Sequence, residues 1–355
     1  MKKFIALLLV ALMLVPCAAL ASSDTYEIAL VTDVGNIDDH SFNQSTWEGV
    51  KQFAEANSIS YAYYRPSEDS TDARIDSIKQ AIDKGAKTVV CPGFLFEDSV
   101  YEVQKQYPEV NFLLVDGQPH DASYTTYETT ANTHCILFQE EQAGYLAGYA
   151  AVKDGYTELG FLGGQDVPAV IRYGYGFVQG ADAAAVEMGV TANIKYWYCG
   201  SFTPNDDIKT KMSGWFTEGT EVVFACGGGI YLSATAAAEE AGKKVIGVDN
   251  DQALDSETII TSAMKGLTNS VKLALTDLYA NNGVWPEAYS GTTDTLGAAD
   301  DCVGLPTAEA SWRMNTFTVD EYNALFEKVK SGEIVVSNDV TVEPAVTAVT
   351  VDYQN

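Results

Sequence analysis

The chain of 355 residues contains only three histidines, His40, His120 and His134, and their spacing fits no metal-ligand pattern. Little room is left for imidazole-based metal sites or acid–base chemistry. Basic residues are scarce too: 21 Lys+Arg stand against 49 Asp+Glu, a formal net charge of −28. Such a field repels polyanions, so neither nucleic acid nor a bare anionic membrane is an expected partner. The sequence has no G-x-x-x-x-G-K-[ST] phosphate loop and no G-x-S-x-G nucleophile elbow. Gly174, Gly176 and Gly180 spell G-x-G-x-x-x-G, one residue off the dinucleotide pattern, inside an expected helix rather than after a strand. They read as helix-packing glycines. No long Pro/Ser linker separates domains, and no apolar run beyond residue 21 is long enough for a membrane-spanning helix.

What is present begins with an export signal. Lys2 and Lys3 precede an unbroken apolar run of 12 residues, 4–15, and Ala19-Leu20-Ala21 forms an A-x-A cleavage site. Cleavage after Ala21 takes the net charge to −30. The expected location is periplasmic or cell-surface. The alternative at this end is a lipid anchor on Cys17, but Pro16 fits a lipobox badly. Five cysteines follow, Cys91, Cys135, Cys199, Cys226 and Cys302; an odd, widely spaced set reads as free, largely buried thiols.

From residue 27 apolar strands alternate with amphipathic helices. Strands are expected at 28–32, 60–64, 88–91 and 112–115, then at 159–162, 192–198, 222–226, 245–248 and 258–262. Helices such as 42–56, 73–84, 96–106, 140–153, 170–188 and 269–281 separate them, and 124–138 reads as a β-rich crossing. The repeated βαβα rhythm implies an α/β fold of two doubly wound parallel-sheet lobes with a hinge and a central cleft. The expected division is 25–132 plus about 252–282 for the N-terminal lobe, and 133–251 plus about 283–345 for the C-terminal lobe. The Val/Thr-rich end reads as a lobe-capping strand and then a disordered tail, 346–355.

Three acids occupy one architectural position. Asp33, Asp116 and Asp249 each follow an apolar strand, where open α/β sheets bind ligands. Any one of them alone reads equally well as a helix cap or turn residue. Asp251 reads as structural. Ser41 and Gln44 have capping-box spacing, which puts Phe42 in the first turn of a helix, as a core staple or as a cleft-facing ring. Phe202 sits at a second strand-to-helix joint. Two such rings from opposing lobes can sandwich a planar base. The carboxylates can accept from hydroxyls, and Lys265, after strand 258–262, can donate to a ligand oxygen. The set suits a sugar joined to a base; the acids and lysine also suit a sugar alone.

The loop D-x-G-x-x-D-D-x-S-F-N-Q at 33–44, with Trp47-Glu48-Gly49 behind it, resembles the basic membrane protein family of bacterial ABC-transporter substrate-binding proteins. Cys91-Pro92-Gly93-Phe94, Gln139-Glu140-Glu141-Gln142-Ala143-Gly144, Gly163-Gly164, Gly200-Ser201-Phe202, Gly227-Gly228-Gly229, Gly247-Val248-Asp249-Asn250-Asp251-Gln252 and Ser262-Ala263-Met264-Lys265 extend the likeness over nearly the whole chain. The resemblance implies a type I periplasmic-binding-protein fold, whose lobes close on a nucleoside, with a purine favoured, and deliver it to ABC permease subunits. It implies Phe42 and Phe202 stacking on the base, Asp33, Asn43 and Gly228 around it, and Asp116, Asp249 and Lys265 on the ribose hydroxyls. A monomer without cofactor or metal and without catalytic activity is expected. Ile230-Tyr231 after the triple glycine departs from the family, which more often has a small residue and glycine there. The alternatives are a receptor for a sugar or furanone-type signal on the same fold and, in a different class, a nucleoside or glycoside hydrolase.

Overall fold

The computed structural model describes residues 25–354. The signal sequence and Cys17 lie outside the described residues. In chain order the first elements are β1 (Ile28–Val31), α1 (Phe42–Asn57), β2 (Tyr61–Tyr64), α2 (Thr71–Asp83), β3 (Thr88–Pro92), α3 (Glu97–Gln106), β4 (Asn111–Val115) and β5 (Thr133–Phe138). Next come α4 (Glu140–Lys153), β6 (Glu158–Gly163), α5 (Pro168–Met188), β7 (Ala192–Tyr198), α6 (Asp206–Thr217), β8 (Val222–Cys226), α7 (Tyr231–Ala241), β9 (Lys244–Asp249) and β10 (Ile259–Lys265). The chain closes with α8 (Leu267–Ala280), β11 (Thr292–Leu296), β12 (Val303–Gly304), α9 (Val319–Lys330) and β13 (Val349–Tyr353).

Two sheets result, ordered β11-β5-β4-β3-β1-β2 and β12-β10-β9-β8-β6-β7-β13. Every pairing is parallel except the short β10–β12 contact. The central strands are apolar throughout and buried on both faces, as helix-covered parallel sheets require: β1, β3, β4 and β8 have no exposed residue. The fold is α/β with two parallel-sheet lobes, and both sheets point their carboxyl ends at the space between them.

The chain changes lobe three times, and all three changes come later than in the expected division; β11, expected in the second lobe, belongs to the first sheet. Strand β5 belongs to the first sheet, not to the second lobe. Only 133–138 of the expected β-rich crossing is a strand; His120 and Tyr127 add a lone bridge. The passage to the second lobe comes after Phe138, at Gln139. The unit at 258–281, expected whole in the first lobe, is split at Gly266: β10 pairs with β9, while α8 lies against α1. Hydrophobic periodicity marks each element but not the sheet it joins. The third change runs from β11 to β12. The crossings touch one another, through Gln139 N–H to the Leu296 carbonyl (2.9 Å) and Gly266 N–H to the Cys302 carbonyl (2.7 Å). Together they form the hinge.

The end of the chain also differs from expectation. Residues 349–353 form β13, an ordered edge strand parallel to β7. Buried Asp182 on α5 fixes it by accepting the backbone N–H groups of Thr347, Ala348 and Val349 at 2.7–3.1 Å. The G-x-G-x-x-x-G segment is helix packing, as read. A Cβ at Gly180 would stand 1.9 Å from the Tyr145 carbonyl oxygen, and one at Gly148 2.1 Å from that of Phe177, so α4 and α5 meet backbone to backbone.

Candidate functional site

A cleft of about 460 Å³ lies between the lobes. All eight residues singled out from sequence line it: Asp33, Phe42, Asn43, Asp116, Phe202, Gly228, Asp249 and Lys265. They arrive from the ends of β1, β4, β7, β8, β9 and β10 and from the first turn of α1.

The loop after β1 is organised by an acid that sequence reasoning passed over. Asp39 Oδ1 accepts the N–H groups of Ser41 (2.8 Å) and Gln44 (3.1 Å), and Oδ2 accepts that of Asn43 (3.0 Å). Asp39 therefore caps α1, and the expected Ser41–Gln44 capping box does not form. A charged carboxylate has two oxygens with which to take several N–H groups at once and binds them more strongly than a neutral hydroxyl does. Ser41 is freed to donate its hydroxyl across the cleft to Asp249 Oδ2 (2.7 Å). Gln44 instead accepts from the His40 N–H (3.0 Å). Asn43 donates to Asp33 Oδ1 (2.7 Å) and to Asp39 (3.0 Å), fixing the first strand-end carboxylate. Burial pushes Asp33 up to about 6, against the Gly35 N–H and the Asn43 amide, which favour the charged form.

The other two strand-end acids are buried, Asp116 8% and Asp249 6% exposed. Both adopt left-handed backbone, with φ of 67° and 63°. Aspartate tolerates this region better than most residues, though not for free, and such strain gathers at functional sites. Asp116 Oδ2 pairs with the Lys265 ammonium, whereas its Oδ1 is buried without a hydrogen-bond partner. Lys265 reaches Glu140 Oε1 at 3.1 Å as well, and Glu140 Oε2 takes the Arg172 Nε–H at 2.5 Å. Rings of Phe42, Tyr173 and Phe138 surround the ammonium at 5.2, 5.4 and 5.5 Å to their centroids. Burial, opposed by Lys265 and reinforced by Glu140, leaves the Asp116 carboxyl above its usual range. Against burial, Asp116, Glu140 and Asp249 hold Lys265 firmly protonated.

The aromatic walls come from opposite lobes. Phe42 is half-buried over Gly93, where a Cβ would be 3.4 Å from its Cε1. Phe202, also half-buried, lies on a shelf of glycines: Cβ atoms at Gly164 and Gly227 would stand 2.6 and 2.9 Å from its ring. At the rim Tyr231, which departs from the family pattern, donates to Asp255 (2.9 Å), and Asp255 meets His40 Nδ1 from the other lobe at 2.9 Å. Asp251 holds Ser311 and the Ala253 N–H, consistent with a structural role. Asp39 and Glu140 lie in motifs that carry the family likeness, but nothing in the sequence gave their roles or pointed to Arg172, because their partners are brought together only by the fold.

Residues 27–339 match the Bmp family, described as PnrA-like ABC transporter substrate-binding proteins. The chain belongs to this family. This Bmp protein is 29% identical over 340 residues to the CD4+ T-cell-stimulating antigen of Listeria monocytogenes, covering 89% of each chain. It is 30% identical over 267 residues to the ABC transporter nucleoside-binding protein BmpA of Lactococcus lactis, covering 69% of this chain and 72% of that one. Its fold is similar to that of an ABC-transporter solute-binding protein from Aeropyrum pernix, with a TM-score of 0.74, 21% identity, and 88% and 94% of the two chains covered. An arabinose-binding protein from Geobacillus stearothermophilus shares it at a TM-score of 0.58 and 13% identity, over 84% and 99%. The expected periplasmic-binding-protein fold is thereby established. As a Bmp protein the chain is the extracytoplasmic substrate-binding component of an ABC transporter, a receptor for a small molecule that works with permease subunits. None of its described helices is long and apolar enough to cross a membrane.

Proposed function

We propose that this Bmp protein captures a nucleoside, with a purine base, between its lobes and presents the closed complex to its permease. The supporting observation is the cleft's division of labour. Half-buried rings from opposite lobes form its walls, and the Asp116 and Asp249 carboxylates and the Lys265 ammonium line it at strand ends. Carboxylates accept from hydroxyls and an ammonium donates to a hydroxyl oxygen. Base stacking between Phe42 and Phe202, with ribose hydroxyls donating to Asp116 and Asp249 beside Lys265, uses every one of these features. Asp33, Asn43 and the Gly228 backbone then face the base. The Ser41–Asp249 bond joins the lobes next to that position, so a ligand touching both sides favours closure by its extra contacts.

A thermal-shift and calorimetric panel of inosine, guanosine, adenosine, uridine, the free bases, ribose and arabinose tests the reading. Purine nucleosides stabilise the protein and bind tightest; stabilisation by sugars and not by nucleosides refutes it. Recovery of the nucleoside unchanged after incubation accords with a receptor, whereas liberated base means a hydrolase. The proposal includes export with cleavage after Ala21. Mass spectrometry of the mature protein separates that N-terminus from a lipid-modified Cys17, and gel filtration checks the expected monomer.

A further inference from the structure

We propose that Glu140, backed by Arg172, is a positioning residue that sets the ligand's hydroxyl site without touching the ligand. The inference rests on the nucleoside reading above.

Among the described residues that line the cleft, neither Glu140 nor Arg172 appears. Yet Glu140 is fully buried at the first position of α4, and its two carboxylate oxygens face two cations: Lys265 Nζ at 3.1 Å and Arg172 Nε at 2.5 Å. The line of alternating charge, Arg172–Glu140–Lys265–Asp116, ends at a strand-end carboxylate that lines the cleft. It also spans the hinge. Glu140 begins α4 directly after the first crossing, Lys265 ends β10 directly before the second, and Asp116 belongs to the opposite lobe.

Geometry explains why a second acid is needed. Without Glu140 the ammonium is left to Asp116 and Asp249 alone and is free to shift from the place it holds beside the cleft. Glu140 draws Lys265 away from Asp116, so that the ammonium is shared between two acids and the lysine and carboxylate that line the cleft are held in fixed positions. Arg172 in turn holds the Glu140 carboxylate in place and compensates its charge; without that partner a buried anion facing a shared lysine is poorly stabilised. Glu140 thus decides where Lys265, and with it Asp116, stands for a ligand hydroxyl, and Arg172 decides where Glu140 stands.

The test compares inosine with its dideoxy analogue, which lacks both secondary ribose hydroxyls, by calorimetry on wild type, Glu140→Gln, Arg172→Gln and Arg172→Lys. Glu140→Gln lowers inosine affinity about tenfold or more, the size of one lost hydrogen bond to a charged group. The same variant changes affinity for the dideoxy analogue by less than about threefold. Arg172→Gln follows the same selective pattern, and Arg172→Lys, which keeps a cation on Glu140, restores part of the loss. Equal losses for the two ligands mark Glu140 as merely structural and overturn the proposal, as does no loss at all. Should Glu140→Gln fail to fold, the Arg172 pair decides by the same comparison. A wild-type protein that binds no nucleoside refutes the nucleoside reading and this inference with it, whereas wild-type binding without the selective loss refutes this inference alone.

Discussion

Replacing Phe42 by alanine separates a ligand platform from a core staple. The ring is half-buried, sits over Gly93 and has the Lys265 ammonium 5.2 Å from its centroid. Since part of it already faces the cleft, truncation costs the ligand-free fold about 1–2 kcal/mol, roughly half the transfer energy of a fully buried phenylalanine plus a weak cation–π contact. Alanine is a good residue for the first turn of α1, so no helix penalty is added. The fully buried Phe224 provides the control: Phe224→Ala leaves a sealed cavity and costs about 3–5 kcal/mol. Ligand affinity should order the two variants the other way. Stacking of a base on an aromatic ring is worth about 1–3 kcal/mol by alanine substitution, so Phe42→Ala weakens purine nucleoside binding roughly fivefold to 150-fold. Phe224→Ala, once corrected for the fraction folded, changes affinity little. Urea melts of the ligand-free variants give the stability term and calorimetry gives the affinity. If Phe42→Ala loses as much stability as Phe224→Ala while its folded fraction binds nucleoside normally, Phe42 is a staple and the stacking argument fails.

Four other perturbations have definite signs. Because burial raises Asp33 to about 6, the native state binds a proton more tightly there than the unfolded chain does. This residue's contribution to stability therefore falls as pH rises from about 4 to 6 and is level above; denaturation midpoints of Asp33→Asn against wild type over that range lack this component, and the variant is relatively more stable at pH 7. Gly180→Ala forces a Cβ to within 1.9 Å of the Tyr145 carbonyl and destabilises by about 1–3 kcal/mol or more in thermal melts. By contrast Gly214→Ala, in α6 with open space around it, stabilises by about 0.5–1 kcal/mol. Asp182→Ala removes the acceptor of three backbone N–H groups before β13, so limited proteolysis cuts near residue 347 more readily than in wild type, while ligand affinity is unchanged.

The parts of the site that were legible in the sequence share a physical cause. A carboxylate just beyond an apolar strand of a parallel sheet can point only at the cleft or at its own helix cap, so Asp33, Asp116 and Asp249 were visible from local pattern alone. Phe42 and Phe202 were ambiguous, since a half-buried ring at a helix start has the same sequence signature whether it faces core or cleft. What local pattern does not encode is partnership across the hinge. Ser41 looks like a helix cap and is instead a bond to Asp249, 208 residues away, because Asp39 supplies the cap with a stronger acceptor. Nor does local pattern encode partnership between distant elements of one lobe: Glu140 looks like an acid favourably placed at a helix N-terminus and is also held between two cations, from α5 and β10. The same limit explains the misplacement of β5 and β10. A buried parallel strand is apolar in either sheet, and the choice is made by crossings only one to six residues long. The acidic surplus divides on the same line. Most of its 49 acids give a solvated surface, whereas those that matter to a neutral ligand are the few whose charge the fold has already matched with Lys265 and Arg172. A carboxylate whose charge is answered from within in this way, as Asp116 is by Lys265, needs no cationic ligand to offset it.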